Sequence, residues 1–74
     1  MGRLGGFRYR EITRRLKALG CEFDRHGAGS HEIWINRAAQ RSFSVPHHAK
    51  DMPEGTLRSI LREAGIDVDE FLKA

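Results

Sequence analysis

Three short strand-like runs follow one another with only a few residues between them, and that spacing constrains the fold most. Cys21-Glu22-Phe23-Asp24-Arg25-His26 alternates in polarity, and His31-Glu32-Ile33-Trp34-Ile35-Asn36 is rich in β-branched and aromatic residues. Ser42-Phe43-Ser44-Val45 alternates again before Pro46. Parallel strands need crossovers of a dozen residues or more. The connections Gly27-Ala28-Gly29-Ser30 and Asn36-Arg37-Ala38-Ala39-Gln40 are too short for that, so the reading is an antiparallel meander.

Helical patterns flank the meander. Tyr9, Ile12, Leu16 and Leu19 recur at three- and four-residue steps, with Gly20 as the stop. Leu57, Ile60, Leu61 and Ala64 repeat the pattern before Gly65, with Pro53 and Gly55 placing the helix start near Thr56. Val68 to Leu72 is expected to add a terminal turn, and the glycine-rich residues 1–6 to form a loosely held lead-in. The expected fold is therefore α+β, with the order α-β-β-β-α, as a single domain over residues 1–74. Three strands need a cover for their apolar side, and two amphipathic helices on one face provide it. The other face is left to solvent. A chain of 74 residues has no room for an enclosed cofactor cavity, so its chemistry belongs on an open surface.

Charge is unevenly distributed. Residues 1–50 carry ten Lys and Arg against four Asp and Glu, whereas residues 51–74 carry three against six. A basic first part with an acidic tail points to a phosphate-bearing partner, although a solvated helix face has the same composition. The lone Cys21 excludes an internal disulfide and a four-cysteine zinc site. No apolar run approaches the roughly 18 residues that span a bilayer. The expectation is a cytoplasmic protein with no membrane association.

Several motifs fail on inspection. Gly27-Ala28-Gly29-Ser30 leads into a strand with no following Lys, unlike a Walker loop. His31-Glu32 lacks the second His of a zinc-protease helix. His47-His48 are adjacent and so point to opposite sides of an extended chain, without a carboxylate or Cys partner at a convincing spacing. Neither a metal nor another cofactor is expected.

His31 is the titratable group that stands out. It follows a turn of low bulk, where a phosphate can approach, and an imidazole accepts or donates a proton near neutral pH. Attack by a ribose 2′-hydroxyl on its own phosphate needs a base, an acid and positive charge, and no metal. The alternative is a strand-end histidine bonded to a neighbouring loop. Strict alternation puts His31 with Ile33 and Ile35, the side expected to be buried, and Trp34 on the open side. There Trp34 either stacks on a base or packs over aliphatic stems. Arg25, Arg37, Arg41 and Lys50 lie in or beside the sheet loops as candidate phosphate contacts.

Three blocks then combine: Gly29-Ser30-His31-Glu32-Ile33-Trp34, Val45-Pro46-His47-His48, and the run from Gly55-Thr56-Leu57 to Gly65-Ile66. In this order and at these spacings, over about Tyr9 to Phe71, the chain resembles the HicA toxin family of HicAB toxin–antitoxin systems. The resemblance implies a double-stranded-RNA-binding-domain-like fold and a ribonuclease that cleaves mRNA under the control of a HicB antitoxin. It implies that His31 is the essential histidine, with Gly29 and Ser30 as the turn presenting it. Gly55 and Thr56 match a structural helix start. The chain departs from the family pattern at Arg8-Tyr9-Arg10, and at Ala28, where relatives often carry a basic residue. The nucleic-acid contacts expected on this reading are Arg25, Gly29, Ser30, Trp34 and Lys50. A non-catalytic RNA-binding module, or an inactive remnant of such a system, is the alternative.

Overall fold

The computed structural model describes residues 3–47 and 50–74. The elements run α1 (Tyr9–Ala18), β1 (Cys21–His26), β2 (His31–Asn36), β3 (Arg41–Pro46), α2 (Glu54–Ala64) and α3 (Val68–Lys73). The strands form one antiparallel sheet in the order β1-β2-β3. Helix α1 lies over β1 and α2 over β3, so both main helices cover the same face. The α-β-β-β-α order is as expected, and the terminal turn is a third, short helix.

The sheet's polarity is the reverse of the expected one. Trp34 is 1% exposed and Glu32 and Asn36 are 6% exposed, whereas Ile33 and Ile35 are only half-buried. The reason is the β2–β3 register, which sets Trp34 opposite Phe43 and Glu32 opposite Val45, both core residues. Because side chains alternate with a period of two, those pairs commit the other three positions of β2 to the uncovered face. The two buried polar residues of β2 are each satisfied. Asn36 Nδ2 donates to the Ala64 carbonyl at 2.7 Å, tying β2 to the end of α2. Glu32 accepts from Tyr9 Oη at 2.6 Å and Trp34 Nε1 at 3.0 Å.

Helix α2 begins two residues before Thr56. Pro53 enters with φ −57°, and its carbonyl accepts from Leu57 N–H to close the first turn. The helix ends in a Schellman motif: Gly65 in the left-handed region (φ 74°), Gly65 N–H to the Arg62 carbonyl and Ile66 N–H to the Leu61 carbonyl. Strand β1 is less regular. It bulges between Phe23 and Arg25, and at this edge Phe23 stays 42% exposed.

Residues 1 and 2 of the lead-in lie outside the described residues, and the rest of it is held more firmly than its glycines imply. Leu4 is fully buried, and Met52 N–H donates to the Phe7 carbonyl at 2.7 Å. Arg15 reaches from α1 to α3, where its Nη1 donates to the carbonyls of Phe71, Leu72 and Ala74. Its guanidinium also lies over the Phe7 and Phe71 rings, at 5.1 and 5.6 Å. This arginine therefore joins two helices rather than merely solvating one. Helix α3 carries its own capping box, in which Asp67 and Glu70 satisfy each other's backbone N–H groups.

Candidate active site

The turn before β2 fixes where His31 can go. Its N–H donates to the Ala28 carbonyl at 3.0 Å, and its carbonyl accepts from Gly27 N–H at 2.8 Å. Gly29 takes φ 60° at the first central position of this turn, the conformation a glycine adopts without strain in a hairpin connection. A second tie comes from His47 N–H, which donates to the Ser30 carbonyl at 2.9 Å. Gly29 and Ser30 are both exposed, so the turn presents itself to solvent as expected.

His31 shares the side of Ile33 and Ile35, as alternation requires, but that is the uncovered side. The imidazole is exposed, and its Nδ1 lies 2.8 Å from Ser44 Oγ on β3. The ring has no other hydrogen bond among the described residues, which leaves Nε2 without a partner. An exposed imidazole, fixed through one nitrogen and free at the other, is suited to proton transfer with a ligand on the sheet.

The expected phosphate contacts have diverse fates. Arg25 faces the same side as Ile33 but is ion-paired with its neighbour Asp24. Arg37 pairs with Glu22 at 2.9 Å. Arg41 donates to the Arg62 carbonyl at the end of α2. Lys50 is exposed and has no ion pair among the described residues. Trp34 lies in the core, so it is closed to base stacking, and the expectation of an open-face tryptophan is corrected. A surface groove of about 660 Å³ runs instead along α1 between Arg8, Arg10, Thr13, Arg14 and Lys17.

The two described histidines of the recurring blocks do not converge. His47 stacks on Tyr9 at 3.9 Å and approaches Glu32 at 3.7 Å. Glu32 points to the helix-covered face and His31 to the open one, so the sheet separates the rings. His48 lies outside the described residues. Among the described residues no group of three or more His, Cys, Asp or Glu is arranged to hold a metal, and no helix is long and apolar enough to cross a membrane.

Glu32 is the residue that sequence reasoning missed as an organiser. Burial pushes its carboxyl pKa up, but the hydrogen bonds from Tyr9 and Trp34, with the nearby His47 and His26 rings, outweigh it and hold the value below the ordinary one. Burial, the same bond and the carboxylate's charge push the Tyr9 phenol up to about 12. The signs of linkage follow. Glu32 binds its proton less readily when folded, so its contribution is present above the ordinary carboxylate range and is lost as pH falls through and below that range. Tyr9 keeps its proton more tightly when folded, so its contribution is intact below the ordinary value of 10.0 and is lost as pH rises toward about 12. Melting temperature against pH should therefore fall on both sides of a plateau. Tyr9→Phe should shallow the alkaline fall, and an unchanged alkaline limb in that variant would contradict this account.

Comparisons with known proteins converge on one family. The profile of the HicA toxin of bacterial toxin–antitoxin systems matches residues 9–66. A curated relative from Pseudomonas fluorescens (strain Pf0-1), named probable mRNA interferase HicA, is 37% identical over 59 residues, covering 80% of this chain and 95% of its own. The matched span starts at the first residue of α1, takes in the whole His31-bearing sheet and ends at the Schellman turn of α2. On that span, the chain belongs to the HicA toxin family of bacterial toxin–antitoxin systems.

Proposed function

We propose that this chain is an endoribonuclease that cleaves mRNA without a metal, using His31 as general acid and base. The observation that carries the reading is the exposed His31 ring, held at Nδ1 and open at Nε2 on the uncovered sheet face. The reaction is a transesterification. The ribose 2′-oxygen bonds to the adjacent phosphorus and gives its proton to Nε2. The bond from phosphorus to the 5′-oxygen breaks, and the leaving oxygen takes a proton from the imidazolium or from water. The products are a 2′,3′-cyclic phosphate and a 5′-hydroxyl. Charge on the phosphate is offset by Lys50 and by Arg25, which exchanges its exposed partner Asp24 for the anion. The Gly29-Ser30 turn, exposed beside His31, contributes further contacts to the phosphate.

The partners that follow are an mRNA substrate and a HicB-like antitoxin. The name of the Pseudomonas relative supports the substrate, and family membership supports the antitoxin. The test is to incubate the purified chain with single-stranded RNA in EDTA, beside His31→Ala. Cleavage by the intact chain alone is expected. Equal cleavage by both overturns the role of His31. RNA bound but uncut by the intact chain fits a non-catalytic binding module instead.

A further inference from the structure

The reaction needs one nitrogen of His31 in one form. A neutral imidazole carries its proton on Nδ1 or on Nε2, and left to itself it favours Nε2–H, the form in which the unpartnered nitrogen has no lone pair. The partner of the other nitrogen sets the choice. We propose that Ser44 is a positioning residue that accepts a hydrogen bond from Nδ1–H of His31 and so keeps Nε2 available for proton exchange with RNA. The proposal rests on the reading of His31 as the acid–base residue.

The backbone builds this contact. His31 faces Pro46 across β2 and β3, and Ser44 is two residues back on the same face. Diagonal neighbours in an antiparallel pair are within reach of a long or aromatic side chain. Ser30 and His47 share a ladder bond, so the next pair, His31 and Pro46, falls at a position without one, where opposing side chains come closest. At such a position on an edge strand the residue's N–H points away from the sheet, so proline forfeits no bond within it. The resulting Nδ1 to Oγ separation is 2.8 Å.

A hydroxyl acceptor suits a base that must also act as an acid. With Nδ1–H bonded to Ser44, the neutral ring and the imidazolium make the same contact, and only Nε2 changes state as the proton moves. Among the described residues no carboxylate bonds the His31 ring. Glu32, next in sequence, points to the opposite face, and Glu22 on the open face is tied to Arg37. The imidazolium is thus oriented without being trapped by a negative charge.

The test combines ring nitrogen NMR with kinetics on the full chain. The intact protein should show neutral His31 protonated at Nδ1. Ser44→Ala should shift the ring toward Nε2–H, and Ser44→Thr should restore the first form. On single-stranded RNA, Ser44→Ala should lower kcat roughly three- to tenfold with KM unchanged, the worth of one hydrogen bond. Ser44→Asp should move the His31 limb of the pH–rate profile to higher pH, because a carboxylate stabilises the imidazolium. An Nε2–H ring in the intact protein overturns the proposal, as does a tautomer shift in Ser44→Ala with unaltered kcat. Full cleavage by His31→Ala would overturn the catalytic reading itself, and the NMR result separates that failure from a failure of the Ser44 contact.

Discussion

His31→Ala should cleave RNA about 10²–10⁴-fold more slowly than the intact chain, the range over which a positioned acid–base group contributes. Its melting temperature should stay close to that of the parent. His31 is exposed and its ring makes one hydrogen bond, to a half-buried serine, so truncation strands no buried polar group. The opposite behaviour is expected of His47→Ala. That ring packs on Tyr9 near Glu32, on the covered side of the sheet, so its loss should affect stability more than rate. Cleavage assays in EDTA and thermal melts on the two variants decide the matter. Equal rate losses in both would refute the separation of roles, and a collapsed His31→Ala would show the ring to be structural.

Trp34→Ala should remove most of the domain's stability. The side chain is 1% exposed, and truncating a buried aromatic costs about 3–5 kcal/mol. A fold of this size holds on the order of 4–11 kcal/mol in total. The change also deprives the Glu32 carboxylate of its Trp34 Nε1 donor. Trp34→Phe keeps an aromatic core residue but loses the N–H donor, at about 1–3 kcal/mol, together with the packing of the indole's second ring, so its stability should fall between those of the parent and Trp34→Ala. Urea unfolding of both variants measures these steps. A Trp34→Ala variant that unfolds like the parent while binding RNA more weakly would restore the base-stacking role and contradict the core placement.

These two residues also show what the sequence could and could not reveal. Period-two alternation correctly grouped His31 with Ile33 and Ile35 and set Trp34 apart, and the short loops correctly required a meander. Which group is covered depends on cross-strand register. Phe43 and Val45 settle it by facing Trp34 and Glu32, pairings set by the register of the β2–β3 hairpin and not by alternation within one strand. Two isoleucines outweighed one tryptophan between two polar residues, because the partners of Glu32 and Asn36 are invisible without coordinates. The site was read in the same partial way. Gly29-Ser30-His31 stood out as a local motif, and Ser44 did not, since its relevance arises from a diagonal contact between strands. The exposed basic side chains were identified, but ion pairing of Arg25 and Arg37, and the carbonyl contact of Arg41, needed the folded chain.

Arg15 has a consequence for how the molecule opens. A helix as short as α3 does not persist alone in water, and ordinarily a terminal segment of this length exchanges between docked and melted forms independently of the core. Here its last carbonyls are held by a side chain rooted in α1, and Phe71 is clasped between that guanidinium and the Phe7 ring. Melting α3 would break the three carbonyl contacts of Arg15 and bare the same cluster that anchors the lead-in. The first and last helices therefore belong to one cooperative unit. The sheet that carries His31 gains a rigid backing, and local breathing at α3 is tied to breaching the core.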